Sequence, residues 1–147
     1  MNRSAGQALC LLDTHVVLDW VLFGDPRCHA WVEAIRRQRL RWIYSPDMLA
    51  EALRVVHYPA IARRHDPRSA PIRVEQCFDQ WGQCCAAPRA QHILRCTDPD
   101  DQMFLDLALE QRATWLLSRD RALLRLARHA SGHGLLIQPP ERTAPAI

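Results

Sequence analysis

The sequence predicts an α/β fold: one domain in which helices form layers on both sides of a short, mainly parallel sheet. Three observations lead there. Short apolar runs of strand length alternate along the chain with longer stretches whose apolar residues recur at helical spacing. The length, 147 residues, suits one domain that buries most of its surface without help from disulfides or a structural metal. The balance of 48% hydrophobic and 24% charged residues is that of a globular chain.

The elements follow in order. Ala8–Leu12 (ALCLL) reads as a buried strand, and residues 16–23 as a short helix stopped by Gly24-Asp25-Pro26. Residues 27–39 read as a helix with Trp31, Ala34 and Ile35 inward, and residues 41–44 (RWIY) as a second strand. Ser45 suits an N-cap and Pro46 the first helical position, so a helix is expected over 46–57. The Pro- and Arg-rich stretch 59–73 predicts a turn with a short helix. Residues 73–86 predict a helix closed by Pro88, and 91–95 a third strand. The clearest helix is expected over 99–112. A fourth strand is expected over 114–117, a helix over 121–129 and a last strand over 134–137. The domain is thus placed at residues 8–138, with a loose Pro-rich tail over 139–147.

Composition excludes several classes. The apolar stretch 8–23 is interrupted by Asp13, His15 and Asp19, too polar for a membrane span or a secretory leader, so no membrane partner and a cytoplasmic location are expected. The cysteines Cys10, Cys28, Cys77, Cys84, Cys85 and Cys96 form no CxxC pair and no zinc-finger spacing with histidine, which fits free thiols. All 19 basic residues are arginine, against 16 acids. Without lysine, a phospho-receiver site and a P-loop are both impossible, since each needs one. Asp13-Thr14-His15 lacks the Asp-x-Asp of haloacid-dehalogenase-like phosphatases.

In open parallel sheets the functional crevice lies at the carboxyl ends of the strands. Asp13 directly follows the first strand, and Asp120 follows the fourth by three residues. Each could simply cap the next helix. Glu51 falls on the shoulder of the arc formed by Leu49, Ala52, Leu53 and Val56, where a solvated charge is the plain alternative. Asp98 and Asp100 suit a helix N-terminus. Asp101, however, shares a helical face with Phe104, Leu105 and Ala108, and a carboxylate turned inward needs a partner or a cation. Acids gathered at one sheet edge repel one another, and a bound Mg²⁺ or Mn²⁺ is the common reason to tolerate that.

Three segments stand in order: LLDTHVVLDW, SPDMLAEALRVV and CTDPDDQMFLDLALEQRATWLLSRDRALL. The first resembles the opening strand, Asp-Thr-Asn and helix of the PIN-domain family, the second is similar to the segment carrying that family's glutamate, and the third to its closing part. The likeness is closest to the bacterial toxin-type members, the VapC-like ribonucleases of toxin–antitoxin pairs. The likeness spans residues 8–138 and implies a PIN-like fold and metal-dependent cleavage of RNA. It implies catalytic roles for Asp13, Glu51, Asp101 and Asp120. Asp13, Asp101 and Asp120 would be metal ligands, with Asp98 assisting, and Thr14, His15 and Ser118 would support them. It also implies a small antitoxin partner and a homodimer.

Two departures mark the chain: His15 stands where the family usually has Asn, and Arg119 where a small residue is common. They define a second reading, a catalytically weak or inactive PIN-fold module that binds RNA or protein. Arginine groups at 36–41, at 63–73 and at Arg119, Arg121, Arg125 and Arg128 suit an RNA path or a solvated face. Trp31, Trp42, Trp81 and Trp115 are expected in the core and Trp20 at a partner surface.

Overall fold

The computed structural model describes residues 6–89 and 91–142. Its centre is β1, Ala8–Leu12, whose last four residues are buried. A strand apolar on both faces must be covered on both, which is how buried parallel strands read in sequence. β1 is followed by α1, Thr14–Val21, a 3₁₀ turn at Pro26–Cys28 and α2, His29–Arg36. Then come β2, Leu40–Tyr44, α3, Pro46–Val55, α4, Pro59–Ala62, α5, Ser69–Trp81, and β3, Gly82–Cys84. The last part holds α6, Gln102–Glu110, β4, Trp115–Leu117, α7, Arg121–Leu124, α8, Ala127–Ser131, and β5, Leu136–Gln138.

The strands form one sheet in the order β3-β2-β1-β4-β5, with every pairing parallel. The chain therefore builds outward from β1 to β3 on one side, then returns to place β4 and β5 on the other. The reversal falls between β1 and β4, where connections leave in opposite directions and open a crevice. The Asp13 amide donates to the Leu117 carbonyl at 3.0 Å, so β1 and β4 stay zipped up to the first acid. No helix among the described residues is long and apolar enough to cross a membrane.

Aromatic rings knit the core. Trp42 packs on Phe78 at 4.7 Å and on Trp20 at 5.5 Å, and Trp31 meets Trp115 edge-on at 5.4 Å. Trp31 and Trp42 are buried, whereas Trp81 and Trp115 are half-buried. Trp20, expected at a partner surface, is half-buried against the core. All six cysteines are free thiols, of which Cys84 is exposed.

Four sequence expectations need correction. Residues 91–95 form no strand: His92 adopts φ +46, which breaks an extended run, and Ile93 is exposed. The third strand is instead β3, entered straight from α5, which ends at Trp81 rather than running to 86. Gly82 makes that turn possible, because a Cβ there would lie 2.7 Å from the Tyr44 ring. The helix expected from residue 99 starts at Gln102, with Asp101 in the N-cap position. The helix expected over 121–129 is two short ones, broken where the Leu126 amide bonds the Leu123 carbonyl at 2.9 Å. Arg121, Arg125 and Arg128, whose spacing of four and three would put them on one face of a continuous helix, therefore do not share one.

The Pro-rich tail begins tied down: the Trp31 indole N–H donates to the Pro140 carbonyl at 2.8 Å. Residues 143–147 of that tail lie outside the described residues.

Candidate functional site

A cavity of about 180 Å³ opens at the carboxyl ends of β1 and β4. Asp13, Thr14, His15, Glu51, Asp98, Asp100, Asp101 and Asp120 line it, and Val55, Tyr58 and Phe104 complete its wall. The acids come from four places in the sequence: the end of β1, the middle of α3, the approach to α6 and the start of α7.

Asp13 is buried and extended, in the N-cap position of α1. One carboxylate oxygen accepts from the Val16 amide at 2.9 Å, and the other accepts from the Ser118 hydroxyl. Burial pushes its carboxyl above the usual range, and the bonds from Ser118 and Val16 partly offset this. Ser118, fully buried at the end of β4, also accepts the Asp120 amide at 2.9 Å. One hydroxyl thus fixes the first acid and the backbone of the last. His15 is exposed on the cavity rim and makes no hydrogen bond to Asp13 among the described residues. Of the supporting residues expected from the resemblance, Ser118 holds Asp13 directly, together with the Val16 amide.

Glu51 is half-buried, and its carboxylate accepts from the Thr14 hydroxyl, which binds α3 to the start of α1. Asp120 caps α7, accepting the Ala122 amide at 2.8 Å through Oδ1. Capping and cavity lining are not alternatives for Asp13 or Asp120, because each does both.

Asp101 differs. It occupies the N-cap position of α6, yet its side chain caps nothing. Its Oδ2 is buried and has no hydrogen-bond partner among the described residues. Burial first, then the charges of Asp120 and Asp98, push its carboxyl up to about 8. Asp98, Asp101 and Asp120 each offer an oxygen within 4.8 Å of the others. Asp98 does not cap α6 as its position before Pro99 suggested. Its Oδ1 accepts the Asp100 amide at 3.0 Å, and its carbonyl accepts the Asp101 amide at 3.1 Å.

The donor set fits a hard divalent cation. Carboxylate oxygens are the ligands such ions take, and a buried carboxylate oxygen without a hydrogen-bond partner is a group that a cation would satisfy. Asp13 stands apart from the three-acid cluster, with both oxygens already accepting hydrogen bonds.

The arginines divide. Arg121 and Arg125 are exposed beside the crevice, on α7 and just after it. Arg119, expected to contact RNA, is instead held in a cage of carboxylates. It donates through Nη1 to Asp19 and through Nε to Glu141 at 3.0 Å, and its Nη2 lies 3.7 Å from Asp25. Its charge is spent on joining α1, the 3₁₀ turn and the tail.

A parallel sheet whose switch-point crevice gathers carboxylates from four places in the chain is a frame for phosphodiester chemistry. The chain belongs to the PIN domain family, whose model matches residues 10–122. PIN domains are generally nucleases. Comparison with curated proteins and with solved structures gave no match.

Sequence reading missed Tyr58 and the arginine cage. Tyr58 follows α3 by a turn, and nothing in its neighbourhood marks it as cavity-lining. The cage draws on residues as distant as Asp19 and Glu141, which no local pattern connects.

Proposed function

We propose that the protein is a divalent-metal-dependent endoribonuclease, and that it is the toxin of a toxin–antitoxin pair. The observation that carries the first part is the unpartnered buried oxygen of Asp101, set between Asp98 and Asp120 at the sheet's switch point. Asp98, Asp101 and Asp120 would hold Mg²⁺ or Mn²⁺, with Asp13 behind them. Such a cation neutralises phosphate charge and acidifies a bound water. The chain's own groups do the rest. Thr14 holds Glu51 against the cavity, where its carboxylate can orient a water or take its proton. Ser118 keeps Asp13 and the Asp120 backbone in register.

RNA as substrate rests on the resemblance to toxin-type PIN domains and on an all-arginine basic surface, with Arg121 and Arg125 exposed beside the crevice. The antitoxin partner and the homodimer rest on the resemblance alone.

The test is cleavage of a mixed pool of structured RNAs with Mn²⁺ or Mg²⁺ by wild type, Asp13→Asn and Asp101→Asn. Cleavage by wild type that EDTA stops and both variants lack supports the reading. Silence from all three, with no metal bound, leaves a PIN-fold binding module. For the toxin role, expression should arrest growth, and co-expression of the neighbouring reading frame should relieve it. Growth unaffected by active enzyme would remove that part.

A further inference from the structure

The segment that delivers Asp98 has no regular structure of its own. Between β3 and α6, the described residues 85–89 and 91–101 form neither helix nor strand. Leu94 and Cys96 pack partly against the core. The Cys85 amide still bonds the Tyr44 carbonyl at 2.7 Å, but from Arg89 to Cys96 the polar attachments to the rest of the fold converge on one row of α6. Gln102, Asp106 and Glu110 follow one another at four-residue spacing and so share a helix face.

Each member grips a different point. Gln102 accepts the Cys96 amide at 2.7 Å through Oε1, and donates through Nε2 to the Leu94 carbonyl at 2.8 Å and to Asp106 at 2.9 Å. Asp106 has its other oxygen 2.9 Å from Nδ1 of His92. Glu110 accepts both the backbone N–H and the Nε–H of Arg89, each at 3.1 Å.

Two details set this apart from incidental surface bonding. Asp106 is a buried carboxylate, which folding tolerates only when it is paired, and both of its oxygens are taken. His92 reaches it from a left-handed backbone, φ +46, a conformation few non-glycine residues hold without compensation.

We propose that Gln102 and Asp106, with His92, are positioning residues that hold the incoming segment so that Asp98 stands opposite Asp101 and Asp120. The inference rests on reading those three acids as a cation site. Groups that orient metal ligands without touching the ion typically change affinity by about 10–100-fold when removed. Neither Gln102 nor Asp106 lines the cavity of the three-acid cluster.

The test is calorimetric titration of Mn²⁺ into the wild-type chain, Gln102→Leu and Asp106→Asn, with hydrogen exchange read at the Cys96 amide. Gln102→Leu should stay folded, lose protection at Cys96 and bind Mn²⁺ about tenfold more weakly or worse. Asp106→Asn keeps an acceptor for Gln102 and should stay within about threefold of wild type. Were the row merely structural, Gln102→Leu would melt earlier yet bind Mn²⁺ with unchanged affinity, and the proposal would be overturned. If Gln102→Leu does not fold, His92→Gly takes its place. Glycine accepts the left-handed backbone, so only the imidazole is lost, and unchanged Mn²⁺ affinity there also overturns the proposal. Wild type that binds no Mn²⁺ while Cys96 stays protected would instead sink the cation-site reading and reduce the row to a fold device.

Discussion

The Ser118 hydroxyl donates to the carboxylate of Asp13 across 105 residues of sequence, joining the ends of the two strands that meet at the switch point. Asp13 is buried, so the bond answers an oxygen that would otherwise face the core unpaired. Ser118→Ala should therefore lower unfolding free energy by about 1–3 kcal/mol, the penalty for stranding a buried acceptor. It should also weaken Mn²⁺ binding, because the Asp120 amide loses its acceptor too. Chemical denaturation and metal titration of the one variant check both.

Asp101 gives the metal-free protein a characteristic pH dependence. Its folded carboxyl is raised to about 8, above the ordinary aspartate value, so folding favours its protonated form. The stability this confers is complete below the unfolded value, near 4, and is lost as pH rises towards 8. In EDTA, the melting temperature of wild type should fall over that interval, and Asp101→Asn should flatten the decline. Mn²⁺ must displace the proton, so its stabilising effect should be larger at pH 8 than at pH 6. A wild-type profile indistinguishable from that of Asp101→Asn would contradict the placement of this side chain.

Arg119 sits next to Asp120 in sequence, yet its partners are Asp19, Asp25 and Glu141. Arg119→Gln should cost about 1–3 kcal/mol of stability through lost charge-assisted bonds. The salt dependence of RNA binding should not change, because the guanidinium is already engaged by three carboxylates. Arg121→Gln should do the reverse, reducing the slope of log affinity against log salt by about one phosphate contact with little effect on melting. Binding measured from low to moderate salt separates the two.

Gly82 opens β3 against the Tyr44 ring, and the Phe78 carbonyl lies 2.9 Å from where a Cβ would stand. Gly82→Ala should destabilise by about 1–3 kcal/mol through overpacking. Denaturant unfolding tests it, and a neutral result would show that the Tyr44 ring can give way to a methyl group at no cost.

The ease of reading this sequence varied with the range of the forces involved. Asp13 was legible because an acid directly after a buried strand stands at the carboxyl edge of the sheet, where the crevice lies, although the same position also lets it cap α1. Asp101 was legible because helical spacing turned it towards Phe104 and Ala108, and the structure leaves its buried oxygen unpartnered. Asp106 was not legible by that argument: at 100° per residue it falls about 140° from Asp101, off the face of Phe104, Leu105 and Ala108, and its partners His92 and Gln102 account for its burial. β3 was illegible for a different reason. Three residues carry no periodicity, and what places them is the fit of Gly82 against Tyr44, a contact between residues far apart in the chain. The segment 91–95 misled because a short apolar run reads alike whether it pairs in a sheet or is strapped down by side chains.

The order β3-β2-β1-β4-β5 also has a consequence during synthesis. The half of the sheet made first, β1 to β3, supplies Asp13 and Glu51 but neither Ser118 nor Asp120. A growing chain on the ribosome has no complete cavity until β4 has emerged and zipped onto β1. If the protein attacks RNA, the translating machinery is exposed to it only after β4 has emerged. The same event completes the surface that any partner of the cavity would have to meet.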